Sequence, residues 1–240
     1  MQKMIATDID GTIYDGFHSA NEFFDLMSRK SGIIICYVTS RSLPSTLNLI
    51  DSGLIPKPNY ICASVGTVIY DYYSQQEIDN YVCQSLDGWN PSLIKKIYCE
   101  GIILQEPSEQ SPRKISYYWD GQHASLNLFK EILKSVMGCR FIVSSGRFID
   151  VIPAKMGKGA AIEYLAWILD IPSSSILGAG DTETDIEICQ ISGGFVIPQG
   201  TSSKMRKAAK QMNHNVYEAT RSYGEGVVDA ANWFWGHDDG

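Results

Sequence analysis

The run Ile33–Val38 constrains the fold more than any other segment of the sequence. Its residues are all apolar, and most are β-branched, so the run lacks the alternation of polar and apolar positions that one solvated face produces. A continuous apolar run of this length predicts a strand that is buried on both faces. Such strands belong to parallel sheets with helices on both sides, so the run favours an α/β fold.

Strands and helices alternate on both sides of this run, at the two ends of the chain. In the first part we predict a strand leading into Asp8, a helix over 19–30 capped by Ser19, a helix that begins near Pro44, a strand at Tyr60–Ala63 and a hairpin through Tyr73. After Gly157 we predict helices over 160–169, 203–212 and 226–235, and strands over 175–180 and 194–197. Parallel strands joined by helical crossovers produce this pattern, which predicts a Rossmann-like core.

The middle of the chain follows a different pattern. It predicts helices over 89–99 and 126–136, and strands over 102–104, 114–119, 140–143 and 147–152, the last two joined by a turn at Ser144-Ser145-Gly146. We expect the aromatic cluster Tyr117-Tyr118-Trp119 to lie in the core of this part. These elements favour a small α+β insert with an antiparallel sheet. The predicted domains are therefore a core of residues 1–82 and 155–240, and an insert of residues 83–154.

Polar residues follow the predicted core strands. Asp8 and Asp10 follow the first strand, Thr39 follows the second, Lys158 lies at a helix entry, and Asp181 and Asp185 follow a later strand. The carboxyl ends of parallel strands meet at one edge, where α/β proteins bind ligands. By itself Asp8-Ile9-Asp10-Gly11-Thr12 is equally compatible with a solvated turn. Together with the other residues, it predicts a cluster of functional groups.

The residue types in this cluster suit phosphoryl transfer. The carboxylates Asp8, Asp10, Asp181 and Asp185 supply only oxygen ligands, which suit Mg²⁺. Asp8 is predicted to attack phosphorus, and Asp10 to act as the general acid and base. Lys158 provides a positive charge for phosphate. Thr39 offers a hydroxyl and a backbone N–H at a strand-to-helix junction, where anions bind.

These residues resemble the motifs of the haloacid dehalogenase superfamily of phosphohydrolases. Asp8-Ile9-Asp10-Gly11-Thr12 resembles its first motif, the strand that ends at Thr39 its second, and Lys158 its third. Gly180-Asp181-Thr182-Glu183-Thr184-Asp185 resembles the fourth, usually GDSGND. The insert resembles the C2-type cap of that superfamily. The resemblance therefore implies a parallel-sheet core with an inserted cap and Mg²⁺-dependent phosphatase chemistry through an aspartyl-phosphate.

Three segments are more specifically similar to sucrose-phosphate phosphatases. They are residues 63–70, 107–117 and 144–153. That family implies hydrolysis of sucrose 6-phosphate or a similar phosphorylated sugar, with the cap holding the sugar. By position, the resemblance implies substrate contacts from the following residues: Ser40, Arg41, Gln110, Lys114, Ser144 and Ser145.

Three residues depart from the family pattern. Ser40 replaces the usual Gly of the second motif, a mild change at a helix entry. Glu183 and Thr184 replace the usual Gly and Asn of the fourth motif. We expect Glu183 to add a negative charge near the metal and Thr184 to weaken the support of the metal ligands.

Composition excludes several classes of function. The formal net charge of −7 disfavours nucleic acids and anionic membrane surfaces as partners. No apolar run approaches the roughly 18 residues of a membrane span. The first residues run directly into a strand, which leaves no room for a signal peptide. The six cysteines are scattered and lack a CxxC pair, so they predict reduced thiols in a cytoplasmic protein.

Two alternatives to a phosphatase remain open at this stage. One is a phosphosugar mutase of the phosphomannomutase type, which has a similar core and cap. A mutase needs cationic groups for a second phosphate, and the insert offers Arg113 and Arg147 but no cluster of arginines. The other is a weakly active regulatory partner of a sugar-phosphate synthase. The departures at Glu183 and Thr184 favour it, whereas Asp8, Asp10 and Lys158 argue against it.

Overall fold

The computed structural model describes residues 2–17, 20, 23, 32–83, 86–144 and 146–236. The predicted helix over 19–30, with its cap Ser19, and the predicted sugar-contacting residue Ser145 lie outside the described residues. The chain divides into two compact units. The first combines Met1–Ile78 with Lys158–Gly240, and the second comprises Asp79–Gly157.

In the part of the chain that the structure describes, the first unit is organised around a sheet of eight strands. In chain order they are β1 (Lys3–Thr7), β2 (Ile33–Val38), β3 (Tyr60–Ala63), β4 (Val68–Asp71), β5 (Gln76–Glu77), β10 (Ile176–Ala179), β11 (Gly194–Ile197) and β12 (Val216–Glu218). Their spatial order is β12-β11-β10-β1-β2-β3-β4-β5. β1, β2, β3, β10, β11 and β12 are parallel, whereas β4 and β5 form an antiparallel extension.

Helices precede or follow the parallel strands of this unit. They are α1 (Leu43–Asp51), α5 (Lys158–Ile168), α6 (Ile186–Ile191), α7 (Ser203–Met212) and α8 (Tyr223–Trp235). Ser42 caps α1, because its side chain accepts a hydrogen bond from the N–H of Ser45, and Pro44 occupies the first turn, where no N–H donor is needed. Every residue of β2 after Ile33 is buried. The prediction of a parallel sheet covered by helices is therefore confirmed.

The topology brings the ends of four neighbouring strands together. β10, β1, β2 and β3 are adjacent and parallel, so their carboxyl ends share one edge of the sheet. Asp8 directly follows β1, Thr39 directly follows β2, and Asp181 lies two residues after β10. The fold thus places these three residues at the edge where the sequence predicted them.

The second unit contains an antiparallel sheet and short helices. Its elements are α2 (Asp79–Cys83), α3 (Pro91–Ile94), β6 (Ile102–Leu104), a 3₁₀ turn (Pro107–Glu109), β7 (Ile115–Trp119), α4 (His123–Lys134), β8 (Cys139–Ser144) and β9 (Phe148–Pro153). The strand order is β6-β7-β9-β8. α3 and α4 pack on one face of this sheet, where Ile94, Phe129 and Tyr117 belong to one buried cluster.

One helix is shorter than the sequence predicts. The expected helix over 89–99 is limited to α3, Pro91–Ile94, with Asn90 capping the N–H of Leu93. The chain then turns through Gly101, whose φ of 79° favours glycine, and Cys99 forms an antiparallel bridge with Ile102. That turn leads into β6 and uses backbone groups that a longer helix would need. Among the helices of the described residues, none is long and apolar enough to cross a membrane.

Candidate active site

A buried lysine connects two carboxylates at the edge of the core sheet. The side chain of Lys158 at the start of α5 is 2% exposed, and its Nζ donates hydrogen bonds to Asp8 Oδ1 at 2.7 Å and Asp185 Oδ1 at 2.6 Å. The backbone N–H of Asp8 donates to the carbonyl of Ala179 at 3.0 Å, which fixes Asp8 between β1 and β10. A charged lysine is rarely buried without such partners.

Asp185 is held by the loop that carries Asp181. It is fully buried, and its Oδ2 accepts hydrogen bonds from the N–H of Asp181 at 3.2 Å and from the N–H and hydroxyl of Thr182 at 3.0 and 2.9 Å. Asp181 Oδ1 accepts a hydrogen bond from the hydroxyl of Thr12 at 3.1 Å. Gly11 has a φ of 80°, which favours glycine, and a Cβ there would lie 2.3 Å from Asp181 Oδ2, so a larger residue would also displace the Asp181 carboxylate.

The carboxylates of Asp8, Asp181 and Asp185 fit a divalent cation. Each offers one oxygen, and these three oxygens lie within 4.8 Å of one another. Lys158 balances only one of the three negative charges, so the site retains an excess of negative charge that a divalent cation would compensate. The ligand atoms are all carboxylate oxygens, which suit a hard cation.

Burial and the neighbouring charges shift the pKa values of the residues in this site. Burial raises the pKa of Asp8 well above its ordinary value; Lys158 opposes that rise and Asp185 adds to it. Burial and the charge of Asp185 raise the pKa of Asp181 to about 6. Burial alone would lower the pKa of Lys158, but Asp185 and Asp8 raise it. The lysine is therefore charged, and the carboxylates gain stability from any further positive charge.

Asp10 has a different hydrogen-bond partner from these three carboxylates. Arg41 binds both of its carboxylate oxygens, with Nε 2.6 Å from Oδ2 and Nη2 2.7 Å from Oδ1. Arg41 Nη1 also donates to the hydroxyl of Ser45 at 3.1 Å. The hydrogen bonds to Asp10 raise the pKa of Arg41. The metal-binding and proton-transfer roles of Asp10 remain predictions.

Thr39 is buried, and its N–H donates to the carbonyl of Cys62 at 2.9 Å, because the parallel pairing continues one residue beyond β2. The predicted contact of Thr39 with an anion therefore depends on its hydroxyl and remains a prediction. The hydroxyl of Thr39 accepts a hydrogen bond from the N–H of Arg41 at 3.1 Å, so its own hydrogen can be donated to a ligand. Ser40 lies between them and is half-buried.

A left-handed turn after β3 binds the backbone of the loop that contains Thr39, Ser40 and Arg41. Ser64, Val65 and Gly66 have φ values of 51°, 61° and 75°. Ser64 N–H donates to the carbonyl of Arg41 at 2.7 Å, and Val65 N–H donates to the carbonyl of Thr39 at 3.0 Å. A β-branched residue at positive φ is strained by about 1–3 kcal/mol. The turn is difficult to predict from the sequence, since only Gly66 indicates a positive φ.

The two departures in the fourth motif have partners of their own. Glu183 lies 3.2 Å from the ammonium of Lys204, and a backbone hydrogen bond and Lys204 lower its pKa. Its negative charge, which we expected to act on the metal, is thus paired. The hydroxyl of Thr184 lies 2.8 Å from the hydroxyl of Thr182, which in turn contacts Asp185. Thr184 therefore retains an indirect connection to the acidic cluster, and its predicted effect on the metal stays a prediction.

In the second unit, the predicted sugar-binding residues belong to a local network. Lys114 is 4% exposed, and its Nζ lies 3.8 Å from Asp150 Oδ1. Asp150 Oδ1 accepts a hydrogen bond from the hydroxyl of Ser116 at 2.6 Å. Gln110 donates to the carbonyls of Gln105 and Ser116 and accepts from the N–H of Ser116, so its amide joins the loop to β7. The roles of Lys114 and Gln110 in sugar binding remain predictions.

The predicted substrate contact Ser144 is the last residue of β8 and pairs with Phe148, which is the first residue of β9. The structure also adds residues that sequence reasoning missed. Asp150 and Ser116 were absent from the predicted site, although both are buried beside Lys114. The alternation of side chains along β7 and β9 could have placed them on one face, once the register of these strands was known.

Comparisons with known proteins show the family and the fold of this chain. The model of the sucrose-6F-phosphate phosphohydrolase family matches residues 1–235 of the chain. The X-ray structure of the sucrose-phosphatase from Synechocystis sp. PCC6803 in complex with sucrose and phosphate is similar with a TM-score of 0.86, 26% identity and coverage of 98% of both chains. Haloacid dehalogenase-like hydrolases also match in fold. These findings confirm the predicted fold class.

Relatives among characterised proteins differ in how much of their length the chain covers. A mannosylfructose-phosphate phosphatase from Agrobacterium fabrum is 26% identical over 245 residues, which cover 98% of this chain and 97% of that protein. A glucosylglycerol-phosphate synthase from Pseudomonas anguilliseptica is 27% identical over 229 residues, which cover 95% of this chain but 30% of that protein. The chain thus spans less than a third of that synthase.

Proposed function

The chain belongs to the sucrose-6F-phosphate phosphohydrolase family, and on that premise we propose that it releases phosphate from a phosphorylated disaccharide, with sucrose 6-phosphate as the first candidate. The observation that supports this most is the buried Lys158, which joins Asp8 to Asp185 at the edge of the parallel sheet. The ammonium of Lys158 suits the negative charge of a phosphate, and the carboxylates around it, together with that of Asp181, suit a divalent cation.

In the proposed reaction, Asp8 is the nucleophile. Lys158 orients its carboxylate through Oδ1, and the other oxygen attacks phosphorus. The bond from phosphorus to the sugar oxygen breaks, and the phosphate becomes bonded to Asp8. Asp10 gives a proton to the departing sugar oxygen and then takes one from the attacking water. That water breaks the aspartyl-phosphate, releases inorganic phosphate and restores Asp8.

The remaining groups of the site stabilise charge. The hydroxyl of Thr39 and the ammonium of Lys158 stabilise negative charge on the phosphate oxygens. We assign Asp8, Asp181 and Asp185 as the side chains that hold Mg²⁺, with Asp10 as a further predicted ligand. Bound Mg²⁺ would neutralise part of the negative charge of the phosphate and of the nucleophile.

Arg41 connects substrate binding to proton transfer in this proposal. Its guanidinium occupies both carboxylate oxygens of Asp10. Arg41 and Ser40 are also predicted substrate contacts, so a guanidinium that turns towards the substrate would leave Asp10 able to carry a proton. Replacing Arg41 with lysine should then change kcat more than it changes KM. A change in KM with an unchanged kcat would contradict this role.

We assign recognition of the sugar to the second unit as its cap. The residues proposed to contact the sugar are Gln110, Lys114, Ser144 and Ser145. Lys114 and Ser144 bring donors that suit sugar hydroxyls. By their names, one of the two relatives above is a phosphatase of mannosylfructose phosphate and the other is a synthase of glucosylglycerol phosphate, so chains similar to this one occur with different glycoside phosphates.

A substrate panel tests this proposal. Purified protein with Mg²⁺ is incubated with sucrose 6-phosphate, mannosylfructose phosphate, glucosylglycerol phosphate, glucose 6-phosphate and fructose 6-phosphate, and released phosphate is measured. We expect the highest kcat/KM on a phosphorylated disaccharide. Absence of phosphate release from every compound would reject the phosphatase and leave the regulatory alternative.

The same panel addresses the mutase alternative, which the family match does not favour. A hexose bisphosphate is added as substrate, and free phosphate and isomerised sugar phosphate are both quantified. A phosphatase releases free phosphate, whereas a mutase returns the phosphate to the sugar. Isomerisation that exceeds phosphate release would contradict our proposal.

Two further proposals concern the surroundings of the protein. We propose a sugar-phosphate synthase as partner, because a segment similar to this chain forms part of a synthase in Pseudomonas anguilliseptica. We also propose a cytoplasmic location, supported by the free thiols of Cys36, Cys62, Cys99, Cys139 and Cys189. Failure to co-elute with the cognate synthase, and recovery outside the cytoplasmic fraction, would contradict these two proposals respectively.

A further inference from the structure

The left-handed turn of Ser64, Val65 and Gly66 has a conformation that its own sequence disfavours. All three residues have a positive φ, at 51°, 61° and 75° respectively. Glycine adopts such angles freely, whereas a β-branched residue such as valine adopts them only where the surrounding structure imposes them. Ser64 and Val65 are both buried, so the turn lies inside the first unit. Residues held in this way are concentrated where function needs a fixed backbone.

Internal hydrogen bonds close the turn between β3 and β4. The N–H groups of Gly66 and Thr67 both donate to the carbonyl of Ala63, at 2.9 and 3.1 Å. The hydroxyl of Thr67, which is fully buried, donates to the carbonyl of Ser64 at 2.9 Å. These contacts fix the peptide planes of the turn and leave the N–H groups of Ser64 and Val65 to bind another segment.

That segment is the loop of Thr39, Ser40 and Arg41, which follows β2. Ser64 N–H donates to the carbonyl of Arg41 at 2.7 Å, and Val65 N–H donates to the carbonyl of Thr39 at 3.0 Å. Successive N–H groups of an extended strand point in opposite directions, whereas those of a helical turn point the same way. An extended continuation of β3 could therefore not bind both carbonyls, and the helical turn makes this double contact possible.

Both carbonyls belong to residues of the proposed reaction. The N–H of Thr39 is already bound to Cys62 of β3, so the turn fixes the other peptide group of Thr39. The hydroxyl of Thr39 accepts a hydrogen bond from the N–H of Arg41, whose guanidinium binds both carboxylate oxygens of Asp10. The turn is thus connected directly to the proposed phosphate contact, and through one side chain to the proposed general acid.

We propose that Val65 is a positioning residue of the phosphatase reaction, because its buried, β-branched side chain holds the turn in its left-handed form. The turn then places the hydroxyl of Thr39 and, through Arg41, the carboxylate of Asp10. This inference rests on the proposed function, which supplies the roles of Thr39 and Asp10. Glycine would adopt the same angles without strain, but it has no side chain that holds one conformation, so the loop would gain freedom. Groups placed in advance favour the transition state, so the effect appears in kcat.

Steady-state kinetics on sucrose 6-phosphate test this role. Val65→Gly should lower kcat by roughly 10-fold and leave KM within about 3-fold, because the groups that bind the substrate are all retained. Val65→Ile keeps the β-branched side chain and should keep kcat within about 3-fold of the wild type. Val68→Ala is the matched control, since Val68 is a buried valine of β4 that pairs with Ala63. An unchanged kcat in Val65→Gly, or a loss equal to that of Val68→Ala, would overturn the proposal.

A double-mutant cycle tests whether Val65 acts through the loop. Thr39→Ala removes the hydroxyl that the turn is proposed to place, together with the acceptor for the N–H of Arg41. In that background, Val65→Gly should lower kcat further by less than about 3-fold, whereas independent roles would multiply to the full loss. The full loss in the Thr39→Ala background would overturn the connection between the turn and the reaction.

Hydrogen exchange measured by NMR needs no substrate and separates this inference from the proposed function. The amide protons of Ser64 and Val65 are buried and hydrogen-bonded, so they should exchange slowly in the wild type. Val65→Gly should accelerate exchange at position 64 and at the Nε–H of Arg41 by at least about 10-fold, since both depend on the turn. Val68→Ala also removes buried atoms, but it should leave the Arg41 Nε–H at its wild-type rate.

The outcomes of the exchange measurement are distinct. A wild-type exchange rate of the Arg41 Nε–H in Val65→Gly would overturn the positioning role, even in a protein that hydrolyses sugar phosphates. Acceleration in Val65→Gly and not in Val68→Ala supports the placement of Arg41 by the turn. Absence of phosphate release from every sugar phosphate, with that acceleration observed, would reject the proposed function alone.

Discussion

The edge of the core sheet and the open face of the insert differ in how their charges are arranged. At the core edge, Lys158 is 2% exposed and contacts two carboxylates directly, at 2.6 and 2.7 Å. On the insert, Lys114 is similarly buried but 3.8 Å from its carboxylate, and Tyr118, four residues further along the chain, is 40% exposed. In our proposal, the first region is held rigidly for one reaction, whereas the second leaves surface available for different sugars.

This difference has a chemical meaning. A phosphate group is the same in every substrate, so the groups that meet it can be held rigidly in advance. Sugars differ in the positions of their hydroxyls, so specificity depends on contacts that can change without disturbing the reaction. We therefore expect substitutions in the first region to affect all substrates alike, and substitutions in the second to separate one substrate from another.

The largest expected effect comes from Asp8→Asn. An amide cannot replace the carboxylate nucleophile, so phosphate release should fall by about 10⁴-fold or more, both on sucrose 6-phosphate and on p-nitrophenyl phosphate. Asp51→Asn, at an exposed position of the same unit, serves as the control and should retain activity. Activity of Asp8→Asn near that of the wild type on either substrate would contradict the assigned nucleophile.

The next effect is on stability and concerns Lys158→Met. Removing the ammonium leaves Asp8 and Asp185 buried without their shared partner, which should lower the free energy of unfolding by about 3–5 kcal/mol. Urea denaturation of the metal-free protein measures this change. Lys204→Met removes an exposed lysine beside Glu183 and should cost less than about 1 kcal/mol. A similar small cost for Lys158→Met would show that the buried ion pairs do not hold the site together.

Mg²⁺ should stabilise the protein, and more at pH 7 than at pH 5. The pKa of Asp181 in the folded protein is raised to about 6, so its charge lowers stability as the pH rises from about 4 to 6. A bound cation removes that cost, but protons compete for the same carboxylate at low pH. At a Mg²⁺ concentration 100 times its Kd, the gain in unfolding free energy is about 2.7 kcal/mol.

Thermal unfolding with and without EDTA measures this effect, and EDTA should also abolish phosphate release until Mg²⁺ is restored. The Asp181→Asn variant is the matched control, because it keeps the shape of the site and removes one ligand charge. Its Mg²⁺-dependent stabilisation should be smaller at pH 7. Full activity in EDTA, or a stabilisation that does not depend on Asp181, would contradict the proposed metal site.

Much of the core site could be predicted from the sequence because it depends on the order of the strands. Asp8, Thr39 and Asp181 each follow an apolar run, and parallel strands bring such positions to one edge whatever their exact lengths. The hydrogen bonds between the turn after β3 and the loop that contains Thr39 and Arg41 could not be predicted in the same way. Val65 adopts a positive φ that its residue type disfavours, because the tertiary contacts of Thr39 and Arg41 select it.

The insert was predicted less completely because its site depends on strand register. The alternation of side chains assigns Tyr117 and Tyr118 to opposite faces, and the expectation that the cluster is core is confirmed for Tyr117 but wrong for Tyr118. Which face is covered by helices is a tertiary property. Asp150 joins Lys114 only because β7 and β9 pair as they do, and a shift of one residue would place it on the other face.

The smallest effect expected here, from Lys114→Met, bears most directly on the contrast between the two regions. Loss of the ammonium should reduce kcat/KM on sucrose 6-phosphate by about 10- to 100-fold, the range of one lost charged hydrogen bond, and leave p-nitrophenyl phosphate nearly unaffected. Lys155→Met is the control: Lys155 also lies 3.8 Å from a carboxylate, that of Asp87, but its side chain is 63% exposed. Equal losses on both substrates would mean that Lys114 serves the phosphate chemistry or the fold. If the unfolding free energy of the variant is then close to that of the wild type, Lys114 serves the phosphate chemistry and not the fold. In that case the expected difference between a region for the reaction and a region for sugar specificity would not hold at this residue.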